Sequence, residues 1–236
     1  MSTTHLSLPP LLWDEAVTGS AFEHACLRAT QGCDAGLIAH NMGANTLQVA
    51  LVFAPEVPLA DAIVMLPLCA VGFQNALGAV APPEVAVHLT WDGKILINGA
   101  SCGHLKIAAS DTDPTLVPDW LVVAFTLPLW PEDDSIEGDT PDQTTLYAEG
   151  CIEVKAPMLV EAFARHTLNW IGRWEDVGTK PLHSEWRGIA YGIGEDTEHN
   201  GTKGTFVGVD ERFGMLLRHG EITDLIPLTT LLEAAS

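Results

Sequence analysis

Two dipeptides separated by four residues, Asp92-Gly93 and Asn98-Gly99, limit the fold of this chain more than any other feature. Each supplies the left-handed backbone positions that a tight hairpin needs, and apolar runs flank both. Val85 to Trp91, Lys94 to Ile97 and Cys102 to Ile107 therefore read as three antiparallel strands. Such a meander is stable only when a face is covered, and the chain supplies the cover. Ser20-Ala21-Phe22-Glu23 fits a helix capping box, with Gly32 as the stop. A helix opening at Pro58 and running to Gly78 is apolar on nearly every side and should be buried, with a kink or break at Pro67. A third helix starts at Pro157 and sets Leu159, Phe163, His166, Trp170 and Trp174 on or near one face, which reads as core. Leu37 to Ala39 and Thr46 to Phe53 read as strands around a turn at Met42-Gly43-Ala44-Asn45, and Leu121 to Phe125 as a fully buried strand. After Arg187 the pattern changes to short strands between glycine turns: Gly204 to Asp210, Phe213 to Arg218 and Glu221 to Ile226. The expectation is an α+β fold in which a mixed or antiparallel sheet of about five to seven strands packs on helices. Residues 1–187 would form that unit and residues 188–236 a small C-terminal β-barrel.

Charge narrows the partners. Lys and Arg number 11 against 31 Asp and Glu, a formal net charge of -20. So acidic a chain repels phosphate backbones and anionic lipid, which argues against nucleic acid and membrane surfaces. Met1 to His5 lacks the basic-then-apolar form of a signal peptide. Five cysteines, odd in number and without a C-x-x-C pair, suit a reducing compartment, so a cytoplasmic protein is expected. No Lys or Arg occurs between Arg28 and Lys94, or between Lys106 and Lys155. The second gap holds Glu132, Asp133, Asp134, Glu137, Asp139 and Asp142 among prolines and reads as a solvated loop. Phosphate-loop, zinc-protease, nucleophile-elbow and dinucleotide fingerprints are missing. His24 and Cys26 stand two apart on a helix and face different ways, so no metal site is expected.

Several strings in order resemble the biotin/lipoate protein ligases. That family's hairpin carries Lys-Trp-Pro-Asn-Asp, apolar residues, then Asp-Gly-Arg-Lys and a glycine. Leu89 to Ser101 has the same length, with Trp91 and Gly99 in the matching places. The buried strand at Leu121, the late helix ending in Trp174 and Gly208-Val209-Asp210 with Gly214-Met215-Leu216-Leu217 are similar to later parts of the family. The resemblance implies biotin or lipoate, ATP and Mg²⁺ as ligands, and a carrier-protein domain as acceptor of the acyl group. It points to Asn41, Met42, Gly43, Thr90, Trp91, Gly99, Ser101 and Gly103 as ligand-binding candidates, and this sequence offers no catalytic residue.

The polar positions depart from the pattern. The turn Asn41 to Asn45 contains no arginine, Thr90 and Ser101 stand where the family has lysines, and Pro128 replaces an asparagine. Lys106 is expected on the opposite strand face from Ser101, because their numbers differ in parity. Each lost charge-stabilising donor removes on the order of 10²–10³ in rate. The expected function is therefore binding of a small acyl or biotin-like ligand, with ATP-dependent adenylation lost or altered. The alternatives are an active biotin– or lipoate–protein ligase with an unusual phosphate site, an ATP-free thiol acyltransferase using Cys151, and a non-enzymatic interaction protein.

Overall fold

A computed structural model describes residues 6–131 and 142–233, so the acidic stretch 132–141 lies outside the described residues. The chain runs β1 (Trp13–Ala16), α1 (Ala21–Thr30), β2 (Leu37–Met42), β3 (Thr46–Phe53), α2 (Leu59–Ala62), α3 (Met65–Val80), β4 (Val87–Leu89), β5 (Lys94–Ile97), β6 (Ala100–Ala109), β7 (Leu121–Pro128), α4 (Ala156–Val177) and α5 (Lys180–Ile189). Four strands follow: β8 (Asp196–His199), β9 (Thr202–Val209), β10 (Met215–His219) and β11 (Ile222–Ile226). The first seven strands form one mixed sheet in the order β1-β2-β3-β7-β6-β5-β4, antiparallel except for β1 against β2.

Strand alternation sorts this sheet into two apolar faces. On one, α1 covers Leu37, Ala39, Ala50, Val52, Val122 and Ala124. On the other, α3 and α4 cover Ile38, Val49, Leu51, Ile107, Val123 and Phe125, with Phe125 wedged between Phe73 and Phe163 at ring distances of 5.1 Å. The α1 start is capped as its sequence requires: Ser20 Oγ accepts from the Glu23 N–H at 3.2 Å. Gly32 follows the helix at a left-handed φ of 81°.

The apolar helix expected from Pro58 breaks earlier than Pro67. Ile63 and Val64 separate α2 from α3, which leaves Pro67 in the first turn of α3, where a missing N–H forfeits no bond. By length and composition Leu59–Val80 could cross a membrane, but 72% of that window is buried inside this fold. Its all-round hydrophobicity is explained by position, between the sheet and α4. Where α3 meets α4, a Cβ on Gly72 would lie 2.5 Å from Thr167 Oγ1, so the close approach depends on that glycine.

The C-terminal strands make an antiparallel sheet in the order β11-β10-β9-β8. The expected barrel is an open sheet: among the described residues no pairing joins β8 to β11. Four strands are too few to close around a filled interior, and this sheet instead lays Phe206, Val209, Phe213, Met215 and Leu217 into the main buried cluster. The Trp91 indole N–H donates to the Phe213 carbonyl at 2.7 Å, and Arg212 pairs with Asp61 at 2.9 Å. The tail then returns to the large sheet, where the Glu233 N–H donates to the Ile107 carbonyl at 2.8 Å.

The edge strand β1, which the sequence reading missed, carries an ionic cluster. Glu15 accepts from His24 Nε2 at 2.6 Å and from Arg28 Nε at 3.1 Å. The His24 hydrogen bond, opposed by partial burial and helped by Arg28, holds the Glu15 carboxyl below its ordinary 4.5. A depressed carboxyl contributes stability that is present above that ordinary value and lost as pH falls through the lower folded value. Thermal denaturation between pH 3 and 6 should therefore show a shallower acid limb for Glu15→Gln than for the parent. Identical limbs would show that the cluster contributes nothing. The effect is modest, because all three side chains are part-exposed.

Candidate functional site

The α1-side face of the large sheet carries a row of polar side chains beyond the helix. Register aligns Asn41 with Gln48, Gln48 with Thr126, Thr126 with His104, and His104 with Lys94. The next row is Ala39, Ala50, Ala124 and Lys106. In that second row Ala39 and Ala50 are sealed under α1, and Lys106 emerges past it, half-exposed. Gln48 ties the two levels together, since its Oε1 accepts the Ala21 N–H at the α1 start, at 3.1 Å. Asn41 Nδ2 donates to the Gly19 carbonyl at 2.9 Å.

Lys106 shares this face because β6 is not a regular strand. The β5–β6 register slips between Lys94 and Leu96, and Gly103 takes φ 123°. The extra residue reverses the alternation, so Cys102 before the bulge and Leu105 and Ile107 after it all enter the same core. Ser101, His104 and Lys106 are thereby left on the opposite face. The parity argument that separated Lys106 from Ser101 fails here, and Gly103 is the cause. A Cβ on Gly103 would stand 2.2 Å from the Thr126 carbonyl oxygen.

The other candidates divide between the two faces. Met42 packs against the main core, away from Asn41, and Gly43 shapes the bend after it. Gly99, at φ 93°, turns β5 into β6. Ser101 pairs through its backbone with the 142–144 segment: its N–H donates to Asp142 and its carbonyl accepts from Thr144, both at 2.9 Å. Thr90 Oγ1 accepts the Lys94 N–H at 2.9 Å and donates to Asp92, so it organises the hairpin loop. Trp91, 5% exposed, lies on the α3 side between the two sheets, with His199 edge-on at 4.9 Å. The space beside it, lined by Pro67, Ala70, Trp186 and Phe213, is about 20 Å³. That holds one water at most. A cavity of about 800 Å³ opens at the other end of the sheet among Leu51, Met65, Ile171 and Trp174, and none of these candidates lines it.

Sequence reasoning passed over Gln48, Thr126 and His104. The signal was available, because Gln48 and Thr126 interrupt apolar runs two residues from Ala50 and Ala124 on the same face. It also missed Trp130 and Tyr147, which stack at 4.1 Å while each keeps about two-fifths of its surface exposed. They follow the end of β7, and Glu149 nearby is fixed by Asn98 and Thr144 at 2.7 and 2.6 Å.

Electrostatically the face is balanced. The two cationic side chains of the seven-stranded sheet, Lys94 and Lys106, lie 3.7 Å from Asp92 and 3.9 Å from Glu233. Burial, then Lys106, pushes the His104 imidazole down, and Glu233 opposes them. Among the described residues no three His, Cys, Asp or Glu side chains converge as metal ligands.

Cys151 is buried, and desolvation followed by Glu149 and Glu84 raises its thiol above the ordinary value. A nucleophilic thiol needs the opposite shift. Brief iodoacetamide treatment of the folded protein at pH 8 should modify the partly exposed Cys33 and spare Cys151. Comparable labelling of both would revive the thiol-transferase reading.

A profile of the biotin/lipoate A/B protein ligase family matches residues 8–188. The chain belongs to that family. A second profile, Domain of unknown function (DUF4444), matches residues 193–234. The chain is 57% identical to a biotin protein ligase-like protein of unknown function from Silicibacter sp. tm1040, with a TM-score of 0.92 over 98% of this chain and 100% of that one. At 15% identity the biotin protein ligase of Aquifex aeolicus shares the fold, with a TM-score of 0.72 over 92% and 94% of the two chains. The Leishmania major biotin protein ligase bound to biotin is 15% identical with a TM-score of 0.56, over 92% and 98%. No curated protein matches the chain. As a family member it keeps the α+β architecture expected above.

Proposed function

We propose that this ligase-family chain binds a small carboxylic acid of the biotin or lipoate type along the polar row from Asn41 to His104, and that ATP-dependent adenylation is lost or altered. The observation that supports the reading is the pairing of both sheet lysines with the chain's own carboxylates. Holding a departing diphosphate requires preorganised positive charge, and two part-exposed lysines, each beside a carboxylate of the chain, leave this face with little net positive charge. The β2–β3 turn adds none, being Asn41 to Asn45. A carrier-protein domain is the proposed macromolecular partner and the cytoplasm the proposed compartment.

Calorimetry on the folded protein with biotin, lipoate and their adenylates tests the binding, and measurable heat with at least one of them is expected. Silence toward all four would end the proposal. Pyrophosphate release with ATP, Mg²⁺ and either acid tests the second half. Two lysines on one face, brought together by the Gly103 bulge, favour the runner-up, a working ligase with a rearranged phosphate site. Steady turnover onto a carrier domain would make that reading the correct one.

A further inference from the structure

We infer that Lys106 recognises the anionic end of the bound acid, and that in the unliganded chain the Glu233 carboxylate occupies the same seat as an internal placeholder. This rests on the acid-binding reading above.

The bulge at Gly103 brings Lys106 out beside His104, at the edge of the open polar row. Lys94 is the other cation on this face, but it is the more exposed of the two and is matched by Asp92 within its own hairpin loop. The partner of Lys106 has a different origin. Glu233 reaches it from the segment that follows β11, where Leu232 bridges to Ile107 and the Glu233 N–H donates to the Ile107 carbonyl. The Glu233 side chain is half-exposed, so it can swing away from Lys106 while that backbone attachment stays in place. The pair is 3.9 Å apart with both side chains two-fifths to one-half exposed, a geometry that holds a carboxylate weakly. A ligand carboxylate that also gains apolar contacts would outcompete it. Lys106 would then separate acids from neutral analogues of the same shape.

The test is a calorimetric comparison of lipoate with lipoamide and of biotin with its carboxamide, on the parent protein, Lys106→Met, Glu233→Gln and the double variant. Lys106→Met should weaken both acids by about tenfold, the size of a charge-assisted contact, and leave the amides unchanged. Glu233→Gln should tighten the acids roughly two- to five-fold, and the gain should vanish in the double variant. Acids and amides shifting together would overturn this inference while leaving acid binding intact. Silence of all four proteins toward every compound would remove both readings. Without any ligand, the His104 ring titration followed by NMR should move up in Lys106→Met and down in Glu233→Gln. A ring that ignores both changes would show that the cluster does not form, and would overturn the inference independently.

Discussion

Gly103→Ala should cost the folded chain about 3 kcal/mol or more, read as a shift in the midpoint of urea unfolding. Two effects add. A left-handed φ of 123° is strained for any residue with a Cβ, which alone amounts to about 1–3 kcal/mol. The added methyl would also meet the Thr126 carbonyl at 2.2 Å, a backbone atom that cannot swing aside, so β6 and β7 must part or the bulge must slip. A slip would send Lys106 toward the core and Leu105 toward water, because one residue of register exchanges the faces. Gly99→Asn is the matched comparison. Its φ of 93° is also left-handed, but a Cβ there meets nothing within 4 Å, and asparagine tolerates such turns, so a loss below about 1 kcal/mol is expected. Equal losses at the two positions would mean that the bulge imposes no special constraint.

Trp91→Ala should be as damaging, about 3–5 kcal/mol, the usual cost of emptying a large aromatic site. The indole is buried where the two sheets meet, and its N–H satisfies the Phe213 carbonyl. Trp91→Phe keeps most of the ring but leaves that buried carbonyl without its donor, for about 1–3 kcal/mol. Limited proteolysis should cut the Trp91→Ala protein first after residue 188, since Arg212 to Asp61 and the tail then carry more of the attachment. The alternative assignment, Trp91 as a ligand wall, predicts the reverse: unchanged unfolding in Trp91→Phe with lost acid binding. The 20 Å³ beside the ring argues for packing.

The legible part of this fold was the part written in local chemistry. Asp92-Gly93 and Asn98-Gly99 announced their turns, and Gly93, Asn98 and Gly99 all have positive φ. The first hairpin nonetheless uses three loop residues, since Thr90 N–H donates to Lys94 and Gly93 serves as the left-handed closing residue. Ser20 and Glu23 gave α1, and the proline at the start of α4 gave its beginning. β1 and β8 were missed because each is four residues long and carries acids, so no alternation rises above the background. The bulge was missed for another reason. A glycine inside a strand pattern is a bulge signal, but a pocket role for Gly103 together with regular alternation across it hides the bulge. The site suffered most from that step, because it concealed that Ser101, His104 and Lys106 share a face. Trp91 and Gly99 drew attention as matched positions, and they hold the scaffold. The row from Asn41 to His104 has no motif, since its members come from four strands and meet only through register.

The strand order has a consequence for how the chain is made. β1, β2 and β3 can assemble from neighbouring sequence, and so can β4, β5 and β6, but the two ribbons touch only through β7, which sits between β3 and β6. A ribosome therefore carries two unjoined halves until residue 128 has emerged. The joining strand is apolar toward α1 through Val122 and Ala124, and toward α3 and α4 through Val123 and Phe125. The piece that completes the sheet is thus the one least tolerant of waiting in water, and nascent chains stalled before it docks are where this protein is most exposed to aggregation.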